Sequence, residues 1–202
     1  MNSSTPREVL NKFYIDNHLD DDGGNSKSFV RIDAAKNFHF YIPNSDLRRK
    51  AVALHDVHHI LSGYNTSFKG ECEISAWEIG SGIGKYWIAL YIDTAGMMMG
   101  LPLYFKSVLR AYARGRRTKN LYSDQPAIDK ALDMKISELQ AEFRLNEFPY
   151  ETKIKFGDVI ALAGFSLFGL IVSLFSIAMI PFLIIYSIYI GLFVDKHPSQ
   201  LE

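Results

Sequence analysis

The residue types best suited to chemistry are gathered in His55-Asp56-Val57-His58-His59, followed after eleven intervening positions by Glu71. On a helix, side chains four apart lie one turn above each other, so His55 and His59 can share one ion. Asp56 borders that face, and Glu71 falls at the start of the next predicted helix, across a turn at Gly63. Two imidazoles and two carboxylates make a divalent-metal site that suits zinc and also accepts iron or manganese. His58 and Glu78 are read as supports behind those ligands, Glu78 because it recurs seven residues after Glu71 on one helical face.

Other metal chemistries fit less well. A zincin needs Glu directly after its first His, where this chain has Asp56. The literal His-x-x-His-His match to membrane desaturases fails because only His18, His39 and His197 remain to build further histidine boxes. A His-Asp phosphohydrolase site would have to draft His18 or His39 and Asp93, and no spacing compels that. The single cysteine, Cys72, excludes an internal disulfide and a cysteine-cage zinc site. A formal net charge of zero gives no electrostatic case for nucleic acid as a partner.

The elements that must position these groups read as helices. Thr5-Pro6 with Glu8 opens a helix to about Asn17, and the acidic stretch Asp20 to Ser26 is a solvated loop. Residues 29–42 fit either a short extended segment or an irregular helix. Asn44 or Ser45 caps a helix over Leu47–Leu61 that Gly63 stops. A second long helix is expected from near Glu71 to Arg114, interrupted around Gly96, Gly100 and Pro102, with Ala76, Gly80 and Gly84 as a stripe for close packing. Arg110, Arg114, Arg116, Arg117 and Lys119 form a basic cluster, either a solvated face or a contact for anionic lipid. A third helical region spans roughly Gln125–Leu145.

From Val159 to Val194 there is no charged residue. As a helix this stretch is ~50 Å long at ~1.5 Å per residue, against ~30 Å of hydrocarbon, so it reads as a membrane segment. Either a hairpin turning near Ser173–Ser176 or one long helix kinked at Pro181 satisfies it, the hairpin being slightly preferred. The start of the chain offers no apolar run for a cleaved signal, and Lys153 and Lys155 precede the segment. The domain before it is therefore expected to face the cytoplasm at a bacterial inner membrane. The class is all-α: an N-terminal helix and irregular segment (1–44), a helical metal-binding domain (45–155), and a membrane segment with a short tail (156–202).

His55-Asp56-x-x-His59, eleven residues and Glu71 resembles the signature of the coenzyme Q biosynthesis protein 4 family. Leu61 to Thr66, Gly70-Glu71, the run Arg114 to Tyr122 and the helix Leu132 to Leu145 resemble its flanking segments, so the likeness covers roughly residues 45–148. The apolar tail departs from the family's familiar members. The resemblance implies His55, Asp56, His59 and Glu71 as metal ligands, a prenylated lipid held in the fold, and a place in ubiquinone synthesis. There the family is implicated in removing the C1 carboxyl of a polyprenyl-hydroxybenzoate and oxidising that carbon, beside other quinone-biosynthesis proteins. Trp87, Tyr91, Met98, Leu101 and Phe105 would line the prenyl path. The rival readings are a non-catalytic lipid-presenting protein with a structural metal, and a membrane-tethered metallohydrolase using Glu73, Glu78 or His58 as base.

Overall fold

Thr5 and Glu8 begin the chain's first helix by satisfying each other's backbone: the Thr5 hydroxyl accepts from the Glu8 N–H at 3.3 Å and the Glu8 carboxylate from the Thr5 N–H at 2.9 Å. In the computed structural model, which describes residues 4–17, 27–35, 38–123 and 128–194, this helix is α1, Pro6–Asp16. The chain is mostly helical, not purely so. The stretch left open between strand and helix forms an antiparallel hairpin of β1 (Phe29–Ala35) and β2 (Phe38–Pro43), with Arg31 opposite Tyr41 and an irregularity between Asp33 and Ala35. Its β-branched and aromatic residues explain the choice.

Ser45 caps α2 (Asp46–Ser62), its hydroxyl accepting from the Arg48 N–H at 3.3 Å. Gly63, at φ 80°, ends the helix in the left-handed conformation that glycine adopts without strain. Ser67 caps α3 (Phe68–Ser81) four residues before Glu71, which therefore sits in the first turn.

The long second helix breaks earlier than expected, and of the expected bending points only the one at Pro102 is found. Gly82 (φ 101°) and Gly84 (φ 55°) end α3, and α4 runs over Trp87–Gly115. Gly96 and Gly100 do not interrupt it; they lie against Ser75 and Cys72 of α3. The bend in α4 falls at Tyr104 (φ −134°, ψ 37°), two residues beyond Pro102, whose ring removes a helical hydrogen bond. A Cβ built on Gly100 would stand 2.9 Å from Val108 Cγ2, although a straight helix separates residues eight apart by about 12 Å. The chain therefore folds back sharply there.

The small-residue stripe does pack helices closely, since a Cβ on Gly80 would lie 2.5 Å from the Tyr112 carbonyl oxygen. Alanine gains about 0.5–1 kcal/mol over glycine in helix propensity, but overpacking against backbone costs about 1–3 kcal/mol. Gly80→Ala is thus expected to lower the melting temperature, which a thermal denaturation series checks.

Beyond α4, the third helical region is two short helices, α5 (Ile128–Asp133) and α6 (Ile136–Glu142). The acidic loop at 20–26, the residues around Gln125, His18, His197 and the side chain of His39 lie outside the described residues. Trp77, Phe143, Leu61, Ile74 and Met97 are fully enclosed at the centre of the helical layers.

The apolar tail forms one helix, α7 (Phe156–Tyr189), ending in a π-helical turn over Ile190–Val194. It runs unbroken through the expected hairpin turn. Ser173 and Ser176 bond back to the Gly169 and Val172 carbonyls at 2.8 Å each, which satisfies their hydroxyls inside a continuous helix. The single-helix arrangement is the one formed, with Pro181 inside it.

Four members of the basic cluster make contacts within the molecule. Asp158 pairs with Arg116 at 3.0 Å and Arg117 at 2.7 Å, Arg110 with Glu151 at 3.7 Å, and buried Arg114 donates to the Ser62 and Phe148 carbonyls at 2.8 Å each. Helices α4 and α7 are both long and apolar enough to cross a membrane. They differ in surroundings: α4 is bent and buries Asp93, Met97 and Gly100, whereas α7 leaves side chains such as Leu167, Phe182 and Ile185 exposed.

Candidate metal centre

Helix α2 presents His55 and His59 from successive turns, and the first turn of α3 brings Glu71 to meet them. The hydrogen bonds behind the rings fix their tautomers. His59 Nδ1 lies 2.9 Å from the Tyr64 carbonyl, an acceptor only, so it carries the proton. That carbonyl is held in place by Arg114, which bonds Ser62 and covers the Tyr64 ring at 5.3 Å. His55 Nδ1 donates in the same way to Glu78 at 2.9 Å.

The two Nε2 atoms consequently face each other across 3.1 Å. The Glu71 carboxylate closes on them, 3.2 Å from His55 Nε2 and 3.3 Å from His59 Nε2. In the metal-free protein a proton on His55 Nε2 bonds these groups together, and a divalent ion would take its place. Nitrogen and carboxylate donors with their outer ring nitrogens bonded to a carboxylate and a carbonyl are the set that a divalent ion takes.

Glu78 is fully buried and takes two imidazole protons. Besides His55 it accepts from His58 Nδ1 at 2.5 Å, while His58 Nε2 accepts from the Leu121 N–H at 2.9 Å. His58 has both nitrogens engaged, and its ring stands edge-on to Trp77 and Tyr122. It locks Glu78 and offers no lone pair to an ion. Asp56 is buried, but its carboxyl is bonded by Tyr14, and it belongs to neither of the two groups of side chains that, among the described residues, are close enough to hold a metal: His55, His59 and Glu71, and His55, Glu78 and Asp93.

The charges follow the geometry. Burial disfavours ionised Glu71, but the hydrogen bonds from His55 and His59 outweigh it and hold the carboxyl down at about 2. Burial likewise opposes the Glu78 anion, and His55 and His58 overcome it, so Glu78 also titrates below the usual glutamate range. His55 is raised well above an ordinary histidine because Glu78 and Glu71 outweigh its burial. Burial and the neighbouring Glu78 charge push Asp93 well above the usual carboxylate range, and its carboxyl shares a hydrogen bond with Glu78.

These shifts set the pH response of the metal-free protein. The two glutamates contribute fully above their ordinary value of 4.5, and that contribution is lost as pH falls through their lower folded values. His55 contributes fully below its ordinary 6.5, and that contribution is lost as pH rises through its higher folded value. The melting temperature is therefore expected to peak between about pH 4.5 and 6.5 and to fall on either side, with added divalent cation removing the alkaline fall. Thermal melts across pH, with and without zinc, check this.

A cavity of about 210 Å³ opens beside the cluster, lined by Ala51, Val52, His55, Glu71, Ser75 and Tyr122 and by Ala89, Ile92, Asp93, Gly96 and Met99 of α4. The residues read from sequence as a prenyl path are on the other side of that helix. Tyr91 bonds Ser176 at 2.7 Å, Met98 packs on Gly169, and Leu101 and Phe105 face Leu162 and Ala163, all in α7; Trp87 is exposed. Sequence reasoning followed the aromatic stripe. The cavity face is marked by small residues and by Asp93, the lone acid in the otherwise uncharged run 86–105.

Fold and site thus define a mostly helical protein with two long apolar helices and a histidine–carboxylate cluster that could hold a metal ion. No protein-family model, curated protein or solved structure matches the chain.

Proposed function

We propose that the protein is a membrane-bound, zinc-dependent enzyme of ubiquinone (prenylquinone) synthesis, anchored in a bacterial inner membrane by α7 with the metal centre facing the cytoplasm. Its substrate would be a polyprenyl-hydroxybenzoate that loses its C1 carboxyl as carbon dioxide while an external oxidant supplies the hydroxyl oxygen. The observation that carries this reading is the convergence of His55 Nε2, His59 Nε2 and Glu71 at the wall of an apolar cavity. The four-position signature resembling the coenzyme Q biosynthesis protein 4 family supplies the reaction.

Three converging protein donors and a cavity alongside leave room for a non-protein ligand, which favours catalysis over a closed structural site. Bound there, a divalent ion would supply Lewis acidity toward a carboxylate. The chain's own residues do the rest. Glu78 and the Tyr64 carbonyl orient the imidazoles, and Ala51 and Ala89 give the cavity apolar walls.

A metallohydrolase is poorly served, because each candidate base is engaged. His58 has no free nitrogen, Glu78 holds two histidines, and Glu73 accepts from the Tyr150 hydroxyl and pairs with Lys69 at 3.6 Å. The test is turnover: the zinc-loaded protein in detergent, given a prenylated hydroxybenzoate labelled at the carboxyl carbon under air, should release labelled carbon dioxide and a hydroxylated ring. Release that is unchanged in Glu71→Ala would remove the assignment. Tight binding of the same lipid without turnover would leave the presenting role.

A further inference from the structure

Helix α7 is fastened to the rest of the molecule at intervals from its first turn to its last. Asp158 pairs with Arg116 and Arg117, Gly169 lies on Met98, Ser176 bonds Tyr91, and near the end the Ser187 hydroxyl accepts from the Tyr41 N–H of β2 at 3.0 Å. The inward stripe is small or polar, with Ser173, Ser176 and Ser187 all half-buried. The outward side is large and apolar: Ile160, Ile171 and Phe182, spaced three turns apart on one face, are 57%, 67% and 64% exposed.

That attachment decides how α7 meets a membrane. Its anchors at Asp158 and Ser187 are ~43 Å apart along the helix, against ~30 Å of hydrocarbon. Helix α2 runs from one anchor to the other: it follows β2 closely, and its last residue, Ser62, accepts from Arg114, two positions before Arg116. Helix α1 packs on α2, with Phe13 stacked on His59, and carries exposed Lys12 and Asp16. An α7 that crossed a bilayer would draw α2, α1 and those charges to hydrocarbon depth, where charge is costly. We infer that α7 lies in the plane of one leaflet of a phospholipid membrane instead of crossing it, and that the cavity beside the metal cluster opens onto that same leaflet. The inference rests on the reading of α7 as a membrane anchor and deepens it.

Two further observations fit a leaflet. Exposed lysines stand where α7 begins: Lys153 and Lys155 just before it, and Lys106 next to Phe105, which faces Leu162 and Ala163. Cations bordering an apolar face match the phosphates that border a leaflet's hydrocarbon. The cavity mouth is on the same side. Tyr91 and Met98 of α4 touch α7, and the residue after each, Ile92 and Met99, lines the cavity about 100° further round the helix. Ile92 and Met99 are 38% and 53% exposed, so the mouth continues the apolar surface that α7 presents. An apolar substrate then enters sideways from lipid, and the domain supplies the polar cover that an interfacial helix carries on its own outer face.

The experiment places a spin label at one outward position at a time, in Ile160→Cys, Ile171→Cys, Phe182→Cys and Met99→Cys, on the full chain in vesicles of phosphatidylcholine and phosphatidylglycerol. The native Cys72 is buried, out of the label's reach. Collision with oxygen from the lipid and with a nickel chelate from the water gives the depth of each label. The three α7 positions are expected at one depth, roughly 5–10 Å below the headgroups, with the Met99 label also in lipid. A crossing helix instead puts Ile171 near the bilayer centre and the other two about 16 Å closer to opposite surfaces, which overturns the in-plane arrangement while keeping α7 as an anchor. Level depths with the Met99 label reached only from water overturn the lateral entry. Labels shielded from both reagents would mean that a second copy covers the face, and that also overturns it. A chain that fails to float with the vesicles refutes the inference and the anchor together. None of these outcomes depends on release of labelled carbon dioxide, so failure of the proposed chemistry is read separately.

Discussion

His59→Ala is expected to lower zinc affinity by about 100-fold or more while leaving the helical content intact. The ring is 3% exposed, and its Nδ1 is fixed on the Tyr64 carbonyl, so Nε2 is delivered to the cluster already oriented. Removing it deletes one of three converging donors without touching Glu78 or the packing of α3 on α4. Equilibrium dialysis against zinc, with circular dichroism on the same samples, measures both parts. Asp56→Asn makes the informative partner. Its carboxyl is bonded by Tyr14 and stands outside the three-donor group, so its affinity should stay within a few-fold of wild type. A loss as large as that of His59→Ala would return Asp56 to the four-ligand set that the family resemblance implies.

Glu78→Ala should have the largest effect on stability. Glu78 is wholly enclosed and accepts protons from two histidines, one of them itself fully buried. Removing one partner of a buried charged pair leaves the others unsatisfied and costs about 3–5 kcal/mol, a large share of the ~5–15 kcal/mol that holds a domain together. Glu78→Gln keeps the shape and one acceptor oxygen, so its cost is expected to be smaller. Zinc affinity should fall about 10–100-fold in that variant, because His55 loses the group that sets its tautomer. Thermal unfolding in detergent separates the variants. Equal melting temperatures for wild type and Glu78→Ala would contradict the role given to this carboxylate.

Much of this was legible in the sequence where one local interaction decides the outcome. Thr5 with Glu8, Ser45, and Gly63 mark helix ends because each cap is made within a few residues, and the helical period alone puts His55 and His59 on one face. Where competing local signals had to be weighed, the sequence misled. Gly82 and Gly84, not Gly96 and Gly100, break the long second helix, because the latter pair fit between α4 and the side chains of Ser75 and Cys72. Serines that suggested a hairpin turn in the apolar tail bond back to their own helix.

The site was legible in part for the same reason. His55, His59 and Glu71 are linked by one helix and one short turn. Asp93 is contributed by α4, which packs on α3 through Gly96 and Gly100, and His58 is engaged by the distant Leu121 backbone. Likewise the face of α4 that lines the cavity is chosen by where α7 packs, and the aromatic stripe went to α7.

The central claim is that one divalent ion is held by His55 and His59 with Glu71. X-ray absorption on the zinc-loaded full-length protein tests it most directly, combined with metal counting on the same sample. The account predicts one zinc per chain, with two imidazole scatterers and the remaining positions filled by oxygen at ~2.0–2.2 Å. A protein that retains no zinc after dialysis, or a bound zinc whose spectrum shows no imidazole, would contradict it.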